Sequence, residues 1–466
     1  MKKLIFIITL VVMFSGGAFA QFSERSRLGC INGTQTLLPN SSNTNVGAFY
    51  YVYTQNSTPQ GSFSQVERSS NLTLKKVDLN TGYLVTDFVI HDGRIYFTGN
   101  HNNATGYVGW FNIDSVFNGN GTIHYYLFKY TSQTPIFSLY SYKNFQKIKV
   151  FTDGNNIHAV VLGTRFTNLF SSSEYYYCLM DYQLGASSFT YAYSTYFPEH
   201  FEDIAITNSA VVTAARKGDD GAGNVFMRMF PKTSFSLSSP SGDILYFPNN
   251  QTISDVHLQS ASSSSDTFFT VYYSEKYTTS GLVCQGLRIN CFKTTTSLGI
   301  TPGGGSTIVT NQGTTLSSAC KIWGTTYSPL YRRLLVLQNM DAPVSPDATV
   351  SAVCRFLHSG SGVSFDRAIY LNGLSYGSIS AYSTHNWITC GLQNQTVDVL
   401  IEDWGNIGTF TCATHNTSIT TTSNTITINT DTYALTTGTN AVTHYTSTPA
   451  VIPSIYMEDC LQQLTK

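Results

Sequence analysis

The stretch from Asp87 to Asp114, "DFVIHDGRIYFTGNHNNATGYVGWFNID", decides the fold. An acidic residue opens an apolar run, "HDGR" turns the chain, and two more alternating runs follow. Short runs rich in Val, Ile, Tyr, Phe and Thr, punctuated by Gly, Asn and Asp, predict antiparallel strands joined by tight turns.

The same phrase returns along the chain. It is legible at Asp87, at Lys147 ("KIKVFTDGNNIHAVVLG"), at Asp203 ("DIAITNSAVVTAA"), at Asp255 ("DVHLQSASSSSDTFFTVYY"), at Ser318 ("SACKIWGTTYSPLYRRLLVL") and at Ser378 ("SISAYSTHNWITCGL"). These starts lie 52–63 residues apart. After each hairpin comes a third run ("GYVGWFNID", "EYYYCLMDY", "NVFMRMF", "LRINCFK", "VSAVCRFL", "TVDVLIED"), and often a fourth ("GTIHYYLFKY", "SSFTYAYST", "GDILYFP", "DRAIYLNG", "GTFTCATHN"). Four antiparallel strands per unit at a repeat of about 58 residues predict an all-β propeller. Immunoglobulin-like sandwiches need about 100 residues each, which counts against them. The strands "GAFYYVYT" and "NLTLKKVDL" before the repeats and the Thr-rich tail after them are expected to pool into a further blade. Seven blades is the favoured count, with six and eight as alternatives. The Ser-rich stretch at 260–265, "TPGGGST" at 301–307 and the Tyr-rich "SLYSYKNF" at 138–145 read as loops.

Composition narrows the function classes. Charged residues are only 11% and the net charge is −1, so a partner that binds through phosphate neutralisation, such as nucleic acid, is not expected. An apolar share of 42% with 14% aromatics is ample for a core. The first twenty residues, "MKKLIFIITLVVMFSGGAFA", have the basic start, apolar core and small-x-small end of an export signal. The expected organisation is therefore a signal peptide over 1–20 and one propeller domain over 21–466, with the terminal strands closing the ring. No later stretch is long and apolar enough for a membrane-spanning helix. Periplasm, cell surface and medium are the destinations this implies.

Nine cysteines in an exported chain raise the question of disulfides. Aligning the units sets Trp110, Cys178, Met227, Cys291, Cys354 and Val399 in one column, where a thiol packs as a small hydrophobe between blades. Cys284 and Cys291 fall on one strand, about 23 Å apart, too far to bridge. Cys30 and Cys460 lie outside the column near the two ends, and a bond between them would staple the ring. No Cys/His spacing typical of a zinc site is present, and no metal or cofactor is expected.

Chemistry is sparse. The acids that open first strands, Asp87, Asp203 and Asp255, are the catalytic candidates, because first strands border the central channel and paired carboxylates serve glycoside hydrolysis. The bland alternative is an Asp that bonds nearby backbone N–H groups. Glu402-Asp403-Trp404 and "KGDDGAGN" at 217–224 suggest a sugar platform and a calcium loop, but each also reads as an ordinary turn, and the second lacks the ligand order of a calcium site. His101, His158, His257 and His385 show no His/Asp pairing in the sequence, and no serine-nucleophile elbow exists.

The phrases "DFVIHDGRIYFTG…GYVGWFNID" and "DIAITNSAVVTAA" resemble the blades of exported β-propeller repeat proteins common in Bacteroidota, over residues 30 to 460. The resemblance implies a secreted binding or scaffold protein that engages protein or glycan through a propeller face. A carbohydrate-active hydrolase or lyase using the channel acids is the alternative.

Overall fold

The computed structural model describes residues 28–30, 48–55, 60–68, 72–128, 139–169, 172–194, 199–217, 225–238, 244–246, 252–262, 264–278, 281–295, 299–309, 321–328, 332–341, 349–360, 362–371, 375–381, 386–393, 396–403, 413–416, 420–424, 429–431 and 435–452. The export signal and Cys460 lie outside them. Among the described residues no helix is long and apolar enough to cross a membrane.

Consecutive strands fold into antiparallel meanders. The first comprises Leu28–Cys30, Ala48–Gln55, Gly61–Arg68 and Leu72–Asp78, and the second Tyr83–His91, Arg94–His101, Thr105–Asn112 and Ile123–Phe128. The third uses Leu139–Asp153, Asn156–Leu169, Ser172–Gln183 and Ser188–Tyr193, and the fourth Glu199–Ile206, Ala210–Lys217, Val225–Pro231 and Ile244–Tyr246. The fifth is built of Thr252–Ser260, Thr267–Thr278, Gly281–Thr294 and Ile300–Val309, and the sixth of Ile322–Ser328, Arg333–Asp341, Thr349–Ser359 and Gly362–Leu371. The last contains Ser375–Ala381, Asn386–Gln393 and Thr396–Asp403. The opening "HDGR" is the tight hairpin expected: His91 pairs with Arg94, and Asp92 and Gly93 both take positive φ, as the twist of a two-residue loop requires.

Among the described residues the core lies between neighbouring sheets, and the third, fourth and fifth meanders are apolar on both faces. In Asn156–Leu169, Ala159 and Val161 pack with Tyr96, Val108 and Tyr126 of the second meander, while Val160 and Leu162 pack with Ile204, Val211 and Phe230 of the fourth. Phe268 and Tyr272 likewise face the fourth meander, and Phe269, Val271 and Tyr273 face Leu334, Val336 and Cys354 of the sixth. Hence runs such as "AVVL" and "TFFTVYY" alternate between two partners instead of between core and water. Between the first and second meanders, fully buried Phe63 meets the edges of Phe88, Phe97 and Phe111 at 5.1–5.5 Å. Burying such a ring contributes about 1.5–3 kcal/mol. First strands touch in chain order from meander to meander, and Leu28–Cys30 lies against Ser375–Ala381. Stacked antiparallel meanders with adjacent first strands make a β-propeller of four-stranded blades.

The tail departs from expectation. Its strands do not pool into another blade; they run round the outside of the propeller in reverse order. Ala413–Asn416 pairs with the outermost strand of the sixth meander, Thr420–Asn424 with that of the fifth, and Asn429–Asp431 with that of the fourth. One long strand, Thr436–Ser447, serves two blades: its first half pairs with Ser188–Tyr193 and its second with Ile123–Phe128. Val451–Ile452 ends the belt on the first meander. Ala413–Asn416, the described part of "GTFTCATHN", thus pairs with the sixth meander and not with the last. Thr suits the place, being β-branched for a strand and polar for an outer surface. Two loop readings also change: "TPGGGST" lies within the strand Ile300–Val309, and most of "SLYSYKNF" lies within Leu139–Asp153, with Tyr142 and Phe145 in the core. In both, pairing with a neighbouring strand outweighs the local turn propensity.

Deleting residues 413–466 should leave the outermost blade strands with open edges. The expected outcome is self-association and a lower unfolding temperature, read by light scattering and thermal denaturation.

Candidate functional site

Every four-stranded blade has an inner edge whose N–H and C=O groups find no fifth strand, and buried backbone groups must be satisfied. The three candidate acids meet that need. The Ile148 N–H donates to Asp87 Oδ2 at 2.9 Å, the Leu258 N–H to Asp203 Oδ2 at 2.9 Å, and the Ile322 N–H to Asp255 Oδ2. In each case a carboxylate on one first strand accepts from the first strand of the following blade.

A β-bulge aims the side chain. The pairing of first and second strands shifts between Val85 and Asp87, between Phe201 and Asp203, and between Ser254 and His257, with similar shifts in the third, sixth and last meanders. The extra residue bends the strand beside the acid: Asp87 and Asp203 still pair, with Thr98 and Ala214, whereas Asp255 lies within the shifted stretch. In the second meander Gly99 makes this feasible: a Cβ there would sit 1.7 Å from the Leu84 carbonyl oxygen. Thr86, the inserted residue, donates its hydroxyl to the Phe145 carbonyl at 2.7 Å, and Asn100 Oδ1 accepts the Asn144 N–H at 2.8 Å. Asp255 itself has φ 55°, a strained backbone for a residue other than glycine.

Each acid accepts from a strand 55–67 positions away, a partner beyond the nearby backbone N–H groups of the bland reading. Asp203 also accepts its neighbour Ile204 N–H on Oδ1 at 2.8 Å, so both its oxygens are engaged. Burial pushes the Asp87 carboxyl above its usual range, against the pull of Lys147, Lys149 and the Ile148 N–H, and Asp203 adds to the rise. In the third meander Lys147 follows the register shift where the neighbouring blades carry Asp, so a cation stands in the sequence between two acids.

The structure supplies His/Asp pairs that the sequence hid. His257 lies between two of the acids, with Nδ1 3.7 Å from Asp203 Oδ2 and Nε2 4.0 Å from Asp255 Oδ1. The visible trace was Asp255-Val256-His257, but its second carboxylate comes from another blade. His158 Nδ1 is 3.1 Å from both oxygens of Asp181, and its ring stacks on Phe151. Burial opposes charge on His158, but the Asp181 carboxylate prevails and holds the imidazole above its usual range. His101 rests on the Tyr83 ring, and His385 lies outside the described residues.

Cys178, Met227, Cys291 and Cys354 are fully buried between blades, and Trp110 packs against the same core partly exposed. Burial pushes the thiols of Cys178 and Cys354 up to about 12 and that of Cys291 to about 11, far from nucleophilic use. Cys284 and Cys291 share the strand Gly281–Thr294. Cys30 sits in the innermost strand of the first meander, while its expected partner, Cys460, lies outside the described residues. Glu402 and Asp403 end the strand Thr396–Asp403; Trp404 and residues 218–224 lie outside the described residues.

Two outcomes test the clamps. Asp203→Ala should cost about 3 kcal/mol or more by denaturant unfolding, since it removes a charged acceptor from two buried N–H groups, whereas Asp203→Asn keeps an acceptor and should cost less. Asp87 titrates above its unfolded value of 3.8, so the folded state holds its proton more tightly. Its contribution is complete below 3.8 and is lost as pH rises through the folded value. Asp87→Asn should abolish that segment of the stability-against-pH curve.

No protein-family model matches the chain, and no curated protein matches it. Among solved structures, the crystal structure of the WD40 domain of SCAP from fission yeast matches 74% of this chain and 92% of that one, at 11% identity and a TM-score of 0.26. The propeller architecture stands on the strand order and inter-blade packing of the chain itself.

Proposed function

We propose that the chain is an exported, non-catalytic binding or scaffold propeller of seven blades that engages a protein or glycan partner through one face. The observation that carries this is the use of Asp87, Asp203 and Asp255: each is occupied in satisfying the backbone of the next blade. Residues at the axis hold the ring, and recognition falls to its faces. The blade count is supported by first strands that follow one another in contact, with Leu28–Cys30 lying against both Ser375–Ala381 and Tyr83–His91. Export is supported by the leading twenty residues.

One end of the third blade suits a partner. Tyr175 is 55% exposed, its ring 4.7 Å from that of Phe166, and Lys143 lies 4.3 Å from the Phe166 ring. Two aromatic rings beside a cation give rigid, amphipathic contact area at small entropic cost. The hydrolase reading draws on the Asp203–His257–Asp255 arrangement, which places an imidazole between two carboxylates.

The test is a binding screen and a turnover assay on one preparation of the full chain, using a panel of soluble polysaccharides and surface proteins. The expected result is a bound partner, weakened by Tyr175→Ala, with no product released. Polysaccharide cleavage that disappears in folded Asp203→Asn would overturn it in favour of the hydrolase.

A further inference from the structure

The belt meets the second blade at a pair of histidines. His124 is on Ile123–Phe128 and His444 on the belt strand Thr436–Ser447, where Tyr126 pairs with His444 and His124 with Thr446. The two residues are therefore diagonal neighbours on one face of a sheet. His124 Nδ1 lies 3.1 Å from His444 Nε2, and the ring planes differ by 9°.

We propose that His124 and His444 form a binding site for a divalent late first-row transition ion, which clasps the belt to the second blade. Two nitrogens bound tetrahedrally to one zinc-like ion, each at about 2.0–2.1 Å, stand about 3.3 Å apart. The observed separation of 3.1 Å is close to that, so an ion that replaces the hydrogen bond between the two nitrogens needs little change in their spacing. The rings are already fixed for the task. Trp110 stacks on His124 at 4.2 Å and 7°, and Tyr126 stacks on His444 at 4.5 Å and 9°. His444 is exposed and His124 partly so, which leaves a path for the ion and room for water.

Ligation needs neutral imidazole. Among the described residues no group of three or more His, Cys, Asp or Glu could hold a metal ion, so water completes the coordination. Imidazole favours Cu, Ni and Zn over the oxygen-seeking Mg and Ca, and affinity should fall from Cu²⁺ to Ni²⁺. Spacing motifs miss such a site because its halves lie 320 residues apart.

The experiment titrates the full chain with Ni²⁺, reading bound metal by equilibrium dialysis, tryptophan fluorescence and unfolding temperature. Wild type should bind Ni²⁺, quench the Trp110 signal and unfold at a higher temperature. His124→Ala and His444→Ala should each lose affinity by about tenfold or more, the loss that even a supporting residue costs a metal site. Trp110→Phe should keep the binding and lose that quench. His444→Gln, which retains a polar side chain on the exposed strand, separates ligation from folding and should match His444→Ala. Retention of wild-type Ni²⁺ affinity in folded His124→Ala and His444→Gln, or no binding by wild type, overturns the site.

Discussion

A β-sheet of a few strands has two edges and two faces, and shielding them from water organises the described part of this protein. Faces are closed by stacking blade on blade, which explains strands that are apolar on consecutive residues. Inner edges are closed by a carboxylate reaching sideways from the preceding blade, as Asp87, Asp203 and Asp255 do. Among the described residues, the outer edges of the first six meanders are closed by the belt. The bulges, the close approach at Gly99 and the Thr-rich tail are all consequences of sealing both edges.

The repeat was readable because strand alternation and turn chemistry are local. "DFVIHDGRIYFTG" carries its hairpin in its own residues, and Asp-Gly specifies the turn. Column positions such as Cys178 and Cys354 could be read as packing sites because a buried apolar slot accepts several residue types. What escaped is non-local. Nothing in "NTITINTDTYALTT" says that its strands attach to different blades, since a polar Thr-rich strand pairs equally well with any open edge. The glycines of "TPGGGST" suggested a loop, and only pairing with Gly281–Thr294 and Thr420–Asn424 makes them strand.

The acids stood out in the sequence as residues that open first strands, while their partners were invisible. An Asp at the head of a strand looks the same whether it caps a turn, serves catalysis or bonds the next blade. The deciding fact is the position of one backbone N–H more than fifty residues later. The same holds for His257 and His158, whose carboxylates arrive from another blade and from a neighbouring strand respectively. Side-chain chemistry can be listed from a sequence, but its pairing in a repeat fold depends on how the units are wound.

The belt also orders events in time. Its strand Thr436–Ser447 joins partners such as Ile123, laid down more than three hundred residues earlier, and contacts so distant in sequence form slowly. Blades emerge from the first toward the last, yet the outer seam is zipped from the sixth back toward the first. A chain still in synthesis therefore carries a row of unsealed borders until the belt strands are made and turn back along the blades.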